Sequence, residues 1–396
     1  KRAVPDRPKP VHLFAACAMG DPDLVEALVL RCRVKVDARY PQEDPQQWAQ
    51  LCPQQADAEP HEGTTALCYV VTWCDVLGEA NVEKVARRLM LLRADPALDD
   101  GHPDVRFPPL CAAVANGSTQ LALLLLHAGS DPDVRTSDGR QAIHVLNLTR
   151  KEEDRATLLE ALVNAGADVN ATKDDGWTAL MLGSENGHEQ CARALIEAKA
   201  NLEAALPSGH TALMLAAQNG HDLCARALIE AGADANYAKA DGWTSLMYAA
   251  KNGHDLCAWM LLNAGADANI TDKEGWAPLM FAAKDGHERC ARALIKAKAN
   301  LNVQRHQGFT ALMGACQNGH DLCARDLIKA DASLESKNKD GFTALMISAQ
   351  NGHEQVARDL LKAGAAVNHA AVNGATALML ACAGNHEQVA LAMIKA

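Results

Sequence analysis

The sequence predicts an all-α repeat solenoid, a stack of helix–turn–helix units, and three observations carry that reading. One slot recurs at Thr178, Thr211, Thr244, Ala277, Thr310, Thr343 and Thr376, a constant step of 33 residues. Each copy holds two short apolar segments with helical spacing. Glycine punctuates each segment at nearly the same place in every copy.

The copies align without slippage, as in GHTALMLAAQNGHDLCARALIEAGADAN and GWTSLMYAAKNGHDLCAWMLLNAGADAN. The first segment of each runs from the threonine slot to Asn-Gly-His. Small residues such as Ala216 and Ala217 allow close helix approach, and Leu213, Cys224, Leu228 and Ile229 recur at the spacing of a buried helical stripe. Gly187 and Gly220 sit where the first helix must break with positive φ. Gly232 and Gly265 sit where the second helix needs a left-handed cap, and a turn then leads to the next unit.

This arrangement resembles the ankyrin repeat family: a 33-residue step, two helices, a turn, and Thr-x-Leu at the start of the first helix. The family's Thr-Pro-Leu-His-x-Ala stands here as Thr-Ala-Leu-Met-x-Ala, with proline only at Pro278. Met181, Met214, Met247, Met280, Met313, Met346 and Met379 replace the family's histidine, exchanging an imidazole hydrogen bond for a flexible apolar plug. Degenerate copies start at Gln141, Pro108, Thr65 and Val11, giving eleven units. The resemblance implies short β-turn or hairpin connections and a curved superhelical stack. Lys199, Lys298 and Asp331 stand at its capping glycine, and Asn385 at the glycine before histidine.

The chain therefore divides into a basic, Pro-rich segment at 1–10, degenerate repeats at 11–138 and regular repeats at 139–396. The first two threonine slots lie 54 residues apart, and the surplus is a Gln/Pro-rich loop at about 40–62. Loops of that length are either functional or disordered, which makes Gln46, Trp48 and Gln54 candidate docking residues. A smaller expansion near Trp73 to Asn81 lengthens a helix–helix connection, and another at Thr149 to Arg155 reads as charged surface. The last copy ends in a second helix bearing Leu391 and Ile394 with no polar cap after it, so more chain or a partner is expected there.

Bulk composition limits the function classes. Hydrophobic residues make up 48% and aromatics only 4%, enough for an aliphatic and alanine core. The net charge of -11 gives no attraction to phosphate backbones, so no nucleic-acid partner is expected. Thirteen scattered cysteines fit free thiols in an intracellular, reducing compartment, cytoplasmic or organellar after processing. Asn-x-Ser/Thr triplets at Asn116, Asn147, Asn170 and Asn269 are short enough to arise by chance. No apolar run approaches about 18 residues, so membrane insertion is not expected.

Candidate chemistry is weak. His188, His221, His254, His287 and His320 each have a cysteine three residues on, a spacing that could offer zinc two ligands on one helix face. That slot holds Val356 and Val389 in the last two copies, so packing outweighs metal binding, and no cofactor is expected. Five acid-first i,i+4 pairs, Glu189 with Arg193, Asp222 with Arg226, Glu288 with Arg292, Asp321 with Arg325 and Glu354 with Arg358, fit a solvated helix face. No Walker loop, GxSxG, HExxH, EF-hand or kinase signature occurs, which gives a non-enzymatic reading.

One column differs in kind. The residue before the threonine slot is Trp177, His210, Trp243, Trp276, Phe309, Phe342 and then Ala375. The resemblance places it beside the turn tip on the concave side, where aromatics would anchor a protein partner. The alternative is that each ring packs on the next turn and stiffens the stack. Tip residues Lys173, Asp175, Lys239, Lys273, Arg305 and Lys339 vary from copy to copy, as a recognition surface would. The leading expectation is a protein-binding scaffold or adaptor. The others are a structural subunit of a large assembly and the regulatory arm of a larger enzyme.

Overall fold

In the computed structural model the described residues are 10–31, 34–38, 40, 65–72, 77, 79–96, 107–149 and 152–396. Gln46, Trp48 and Gln54 of the proposed docking loop lie outside them. Every regular element among the described residues is helical, and the helices form eleven pairs. The irregular pairs are Pro10–Ala18 with Pro22–Glu26, Ala66–Thr72 with Glu79–Leu91, Pro109–Ala115 with Thr119–His127, and Ala142–Val145 with Glu152–Asn164. Seven regular pairs follow, from Ala179–Asn186 with Glu189–Glu197 to Ala377–Ala383 with Glu387–Lys395.

The chain divides into two compact units, one of residues 1–183 and 188–201, the other of 184–187 and 202–396. The second unit shows the repeat logic most plainly. Leu213, Cys224 and Leu228 of the stripe that the spacing predicts are buried, together with Met214 and Ala216, whereas Ile229 is only half-buried. A leucine as fully buried as Leu228 contributes about 1.5–3 kcal/mol through removal of apolar surface from water. Thr211 Oγ1 accepts the Met214 N–H at 3.4 Å and caps its helix, and Thr244 does the same for Met247.

Glycine and histidine interlock neighbouring repeats. Gly220 ends Ala212–Asn219 at φ 70°, a left-handed conformation that a side chain would strain. A Cβ on Gly220 would also lie 2.4 Å from Nδ1 of His254. The His254 ring occupies that space because its Nε2 donates to the Gln218 carbonyl at 3.1 Å. His221 with Glu185, His287 with Lys251, His353 with Gln317 and His386 with Gln350 repeat the bond at 2.8–3.1 Å. The histidines thus satisfy carbonyls at the open end of the preceding first helix.

The first unit departs from the repeat in informative ways. His144, where a regular copy has methionine, accepts the Gln141 N–H through Nδ1 at 3.1 Å and donates from Nε2 to the Ala171 carbonyl at 3.0 Å. Burial lowers its pKa. The expansion at Thr149 to Arg155 is not simply charged surface. Arg155 is 8% exposed and donates to the Thr149 carbonyl at 2.8 Å and to Nδ1 of His188 at 2.9 Å.

Lys199, Lys298 and Asp331 keep the cap geometry without glycine, at φ 68°, 61° and 65°. Each bears a left-handed cost of about 1–2 kcal/mol. The charge ladder also differs from the expected one. Arg193 pairs with Glu189 at 2.9 Å and Arg358 with Glu354, while Arg292 bridges Glu288 and Asp326. Arg325 instead reaches Asp359 of the next repeat at 3.0 Å, and Asp222 accepts the Cys257 thiol at 3.0 Å.

Candidate interaction site

The aromatic column owes its position to the backbone of the turn tips. In each regular repeat the tip closes as a tight hairpin in which a backbone N–H reaches the carbonyl of the column residue: Lys173 to Trp177, Leu206 to His210, Lys239 to Trp243, Asp272 to Trp276, Arg305 to Phe309 and Asn338 to Phe342, all at 3.0–3.1 Å. Within the second unit the tips also pair sideways, with Lys273 N–H on the Asp241 carbonyl at 2.9 Å and Lys339 N–H on the Gln307 carbonyl at 3.0 Å. Gly242 permits that approach, because a Cβ there would lie 2.8 Å from the Asp272 Cα. The short hairpin connections implied by the resemblance are present.

From these tips the rings lean onto the first helices and end half-buried. Trp243 lies 4.8 Å from Tyr248 on its own helix and 4.8 Å from Phe281 on the next. Trp276 stacks on Phe281 at 5.0 Å with an interplanar angle of 16°. Neither Tyr248 nor Phe281 is among the residues that the sequence singles out. They stand four residues past the threonine slot, in a column otherwise of Leu182, Leu215, Gly314, Ile347 and Leu380, and only that local excess of aromatics marks them.

Cations cover the rings. Lys251 Nζ lies 4.9 Å from the Trp243 ring, Lys284 Nζ 5.3 Å from Trp276, and the Arg305 guanidinium 4.7 Å from Trp276 and 5.2 Å from Phe309. Between Trp243 and Trp276 this leaves a groove of about 410 Å³ floored by Phe281 and rimmed by Asp241, Lys251, Lys273, Glu274, Lys284 and Asp285. The rim carries both signs of charge.

The expected tip residues fall into two groups. Lys273, Lys339 and Asp175 are exposed, and Arg305 is held over two rings. Lys173 and Lys239 are not free tips. Lys173 is ion-paired to Asp175 at 2.9 Å, and Lys239 to Asp241 at 3.0 Å, with lysine side chains 14% and 12% exposed. Burial works against Asp241, but the Lys239 ammonium and the Trp243 N–H outweigh it and hold the carboxyl below its usual range.

His210 belongs to a polar cluster on the same face. Lys239 donates to the Tyr248 oxygen at 3.0 Å, so the Tyr248 hydroxyl proton points to His210 Nε2 at 2.7 Å and His210 Nδ1–H donates to Ser208 at 2.8 Å. Burial and then the Lys239 charge lower the His210 pKa, which keeps the ring neutral in this network. Phe342 is half-buried, its N–H tied to Asn338 Oδ1 at 2.8 Å.

The His/Cys pairs are packing elements. Cys191, Cys224, Cys257, Cys290 and Cys323 are buried thiols, and burial pushes Cys290 up to about 12 and Cys323 to about 11. Among the described residues no three His, Cys, Asp or Glu side chains gather as a metal-binding group, and no helix is long and apolar enough to cross a membrane.

Comparison with known proteins agrees with this geometry. A family model described as ankyrin repeats (3 copies) matches residues 110–205, 199–272, 246–338 and 323–396. The crystal structure of the human ASB11 ankyrin repeat domain is similar at 27% identity and a TM-score of 0.51, covering 55% of this chain and 97% of that one. A comparison with curated proteins finds no match.

Proposed function

The chain belongs to the ankyrin repeat family, and from that premise we propose that it is a non-catalytic scaffold that grips a protein partner with its turn tips and first helices. The observation that carries the reading is the groove between Trp243 and Trp276. Indole rings that the scaffold needs only for stiffness would be covered completely. Here they remain half-buried, with cations poised over them and both charge signs on the rim. Aromatic anchors surrounded by polar groups are the usual composition of binding hot spots.

The mixed rim favours a partner surface with an apolar centre and flanking charges of both signs. Lys273, Lys339 and Arg305 would meet its carboxylates, and Glu274 and Asp285 its cations. Neither charge sign dominates the groove, so recognition would rest on shape and paired contacts more than on long-range attraction.

The test is affinity isolation from cells that express the protein, with the wild-type chain and a Trp243→Ala/Trp276→Ala variant as baits. The expected result is a protein retained by the first bait and lost with the second, while both baits keep the same helical content. Retention of the same proteins by both baits would dismiss the groove as the binding surface.

A further inference from the structure

Two columns break their pattern in neighbouring repeats, and the two odd residues meet. His210 is the one titratable side chain in a column otherwise of tryptophan, phenylalanine and a final alanine. Tyr248 is the one hydroxyl in a column otherwise of aliphatic residues, a glycine and Phe281. His210 Nε2 accepts the Tyr248 hydroxyl at 2.7 Å, with the two rings 5.4 Å apart. A phenyl ring and an alkyl chain fill these slots in other copies, so packing of the stack does not require the polar pair.

Through Tyr248 the pair reaches the groove. The Tyr248 ring lies 4.8 Å from Trp243, which forms one wall. The Tyr248 oxygen also takes the Lys239 ammonium at 3.0 Å, and Lys239 pairs with Asp241 at 3.0 Å. Ser208 stands 2.8 Å from His210 Nδ1. The groove lining itself contains no histidine. Carboxylates and ammoniums ordinarily change charge outside the range of about pH 5 to 8, so a proton taken up there enters this network at His210.

We propose that His210 is a positioning residue for the groove: while neutral it anchors Tyr248 and so braces the Trp243 wall, and on taking up a proton it releases that brace. Regulation of this kind presupposes the groove as the binding surface. Neutral His210 accepts the hydroxyl proton, but an imidazolium can only donate. The Tyr248 oxygen then faces two cationic donors, His210 and Lys239, each within hydrogen-bond distance of it. Asp241 offsets part of their repulsion, yet it is already paired with Lys239 and the Trp243 N–H. The cations separate, Tyr248 loses its anchor, and Trp243 loses a neighbour that held it. Burial and then the Lys239 charge lower the His210 pKa. The brace is therefore complete above the ordinary histidine value of about 6.5 and is lost as pH falls toward the lowered one.

The test is fluorine NMR of the chain labelled with 5-fluorotryptophan, in which each indole gives its own signal and Trp243→Phe identifies that of Trp243. Between about pH 8 and pH 5 the wild-type Trp243 signal should move with a single midpoint below about 6.5. His210→Phe installs a residue that its own column uses, and it should hold the signal still. Tyr248→Phe keeps the ring and removes the hydroxyl, so the signal should again stay still while His210 continues to titrate in its own carbon-13 spectrum. A Trp243 signal that does not move in wild type, or that moves as far in either variant, would overturn the proposal. The measurement needs no partner. Its failure would leave the groove as a binding surface intact, and failure of the groove would show instead in the affinity isolation with Trp243→Ala/Trp276→Ala.

Discussion

Phe281 sits between two indoles, 4.8 Å from the Trp243 ring and 5.0 Å from the Trp276 ring. The contact joins two repeats, and Phe281 itself is buried. Phe281→Ala should therefore act on stability first, lowering it by about 3–5 kcal/mol as expected for loss of a buried ring. Trp276→Ala, at a half-buried ring, should cost less than Phe281→Ala. Urea unfolding of the two variants followed by circular dichroism checks the order. A larger loss for Trp276→Ala would show that the indole is primarily a structural element.

Gly220 and His254 should behave as one device. Gly220→Ala brings both left-handed strain and a clash with the His254 ring, whose Nδ1 lies 2.4 Å from the added Cβ. In a double-mutant cycle with His254→Ala, the second change should remove the clash and leave the strain, giving a coupling of about 0.5–3 kcal/mol. Strict additivity of the two losses would contradict the interlock.

Acid should weaken the fold partly through His144. Burial lowers its folded-state pKa, so the unfolded chain binds the proton more readily. The stability from keeping the ring neutral is complete above the unfolded value near 6.5 and declines as pH falls from there toward the lowered folded value. His144→Met, the residue of the regular copies, should flatten the fall in denaturation midpoint between about pH 7.5 and 5.5 relative to wild type. An unchanged slope would show that the ring is not kept neutral by its site.

Thiol reactivity should be split. Cys382 is exposed, whereas Cys257 is buried and pushed upward first by burial and then by the Asp222 carboxylate that accepts its proton. Brief alkylation of the native protein at neutral pH, read by peptide mass spectrometry, should label Cys382 and leave Cys257, Cys290 and Cys316 intact until denaturant is added. Early labelling of Cys257 would place it outside the core.

The period made the scaffold legible because each slot has one physical task. Threonine caps, glycine takes positive φ and histidine ties a carbonyl, so repetition at a fixed step announces all three. The site was legible only in part. Trp243 and Trp276 stand out by residue type, but Tyr248 and Phe281 share a slot with aliphatics and are marked only by a local excess of aromatics. Lys239 looked like a free tip because sequence carries no distance, and the short reach to Asp241 and Tyr248 that ties it down belongs to the fold. Helical spacing points Asp222 at Arg226, whereas in the fold a thiol of the next repeat donates to it.

The central claim concerns the groove between Trp243 and Trp276, and Lys273 gives access to it without disturbing the rings, since its side chain is exposed on the rim. Calorimetric titration of the isolated partner into wild type and Lys273→Glu is the direct measurement. The account predicts a Kd at least tenfold higher for the variant, about 1.4 kcal/mol, with an unchanged melting midpoint. An identical Kd for the two proteins would contradict it.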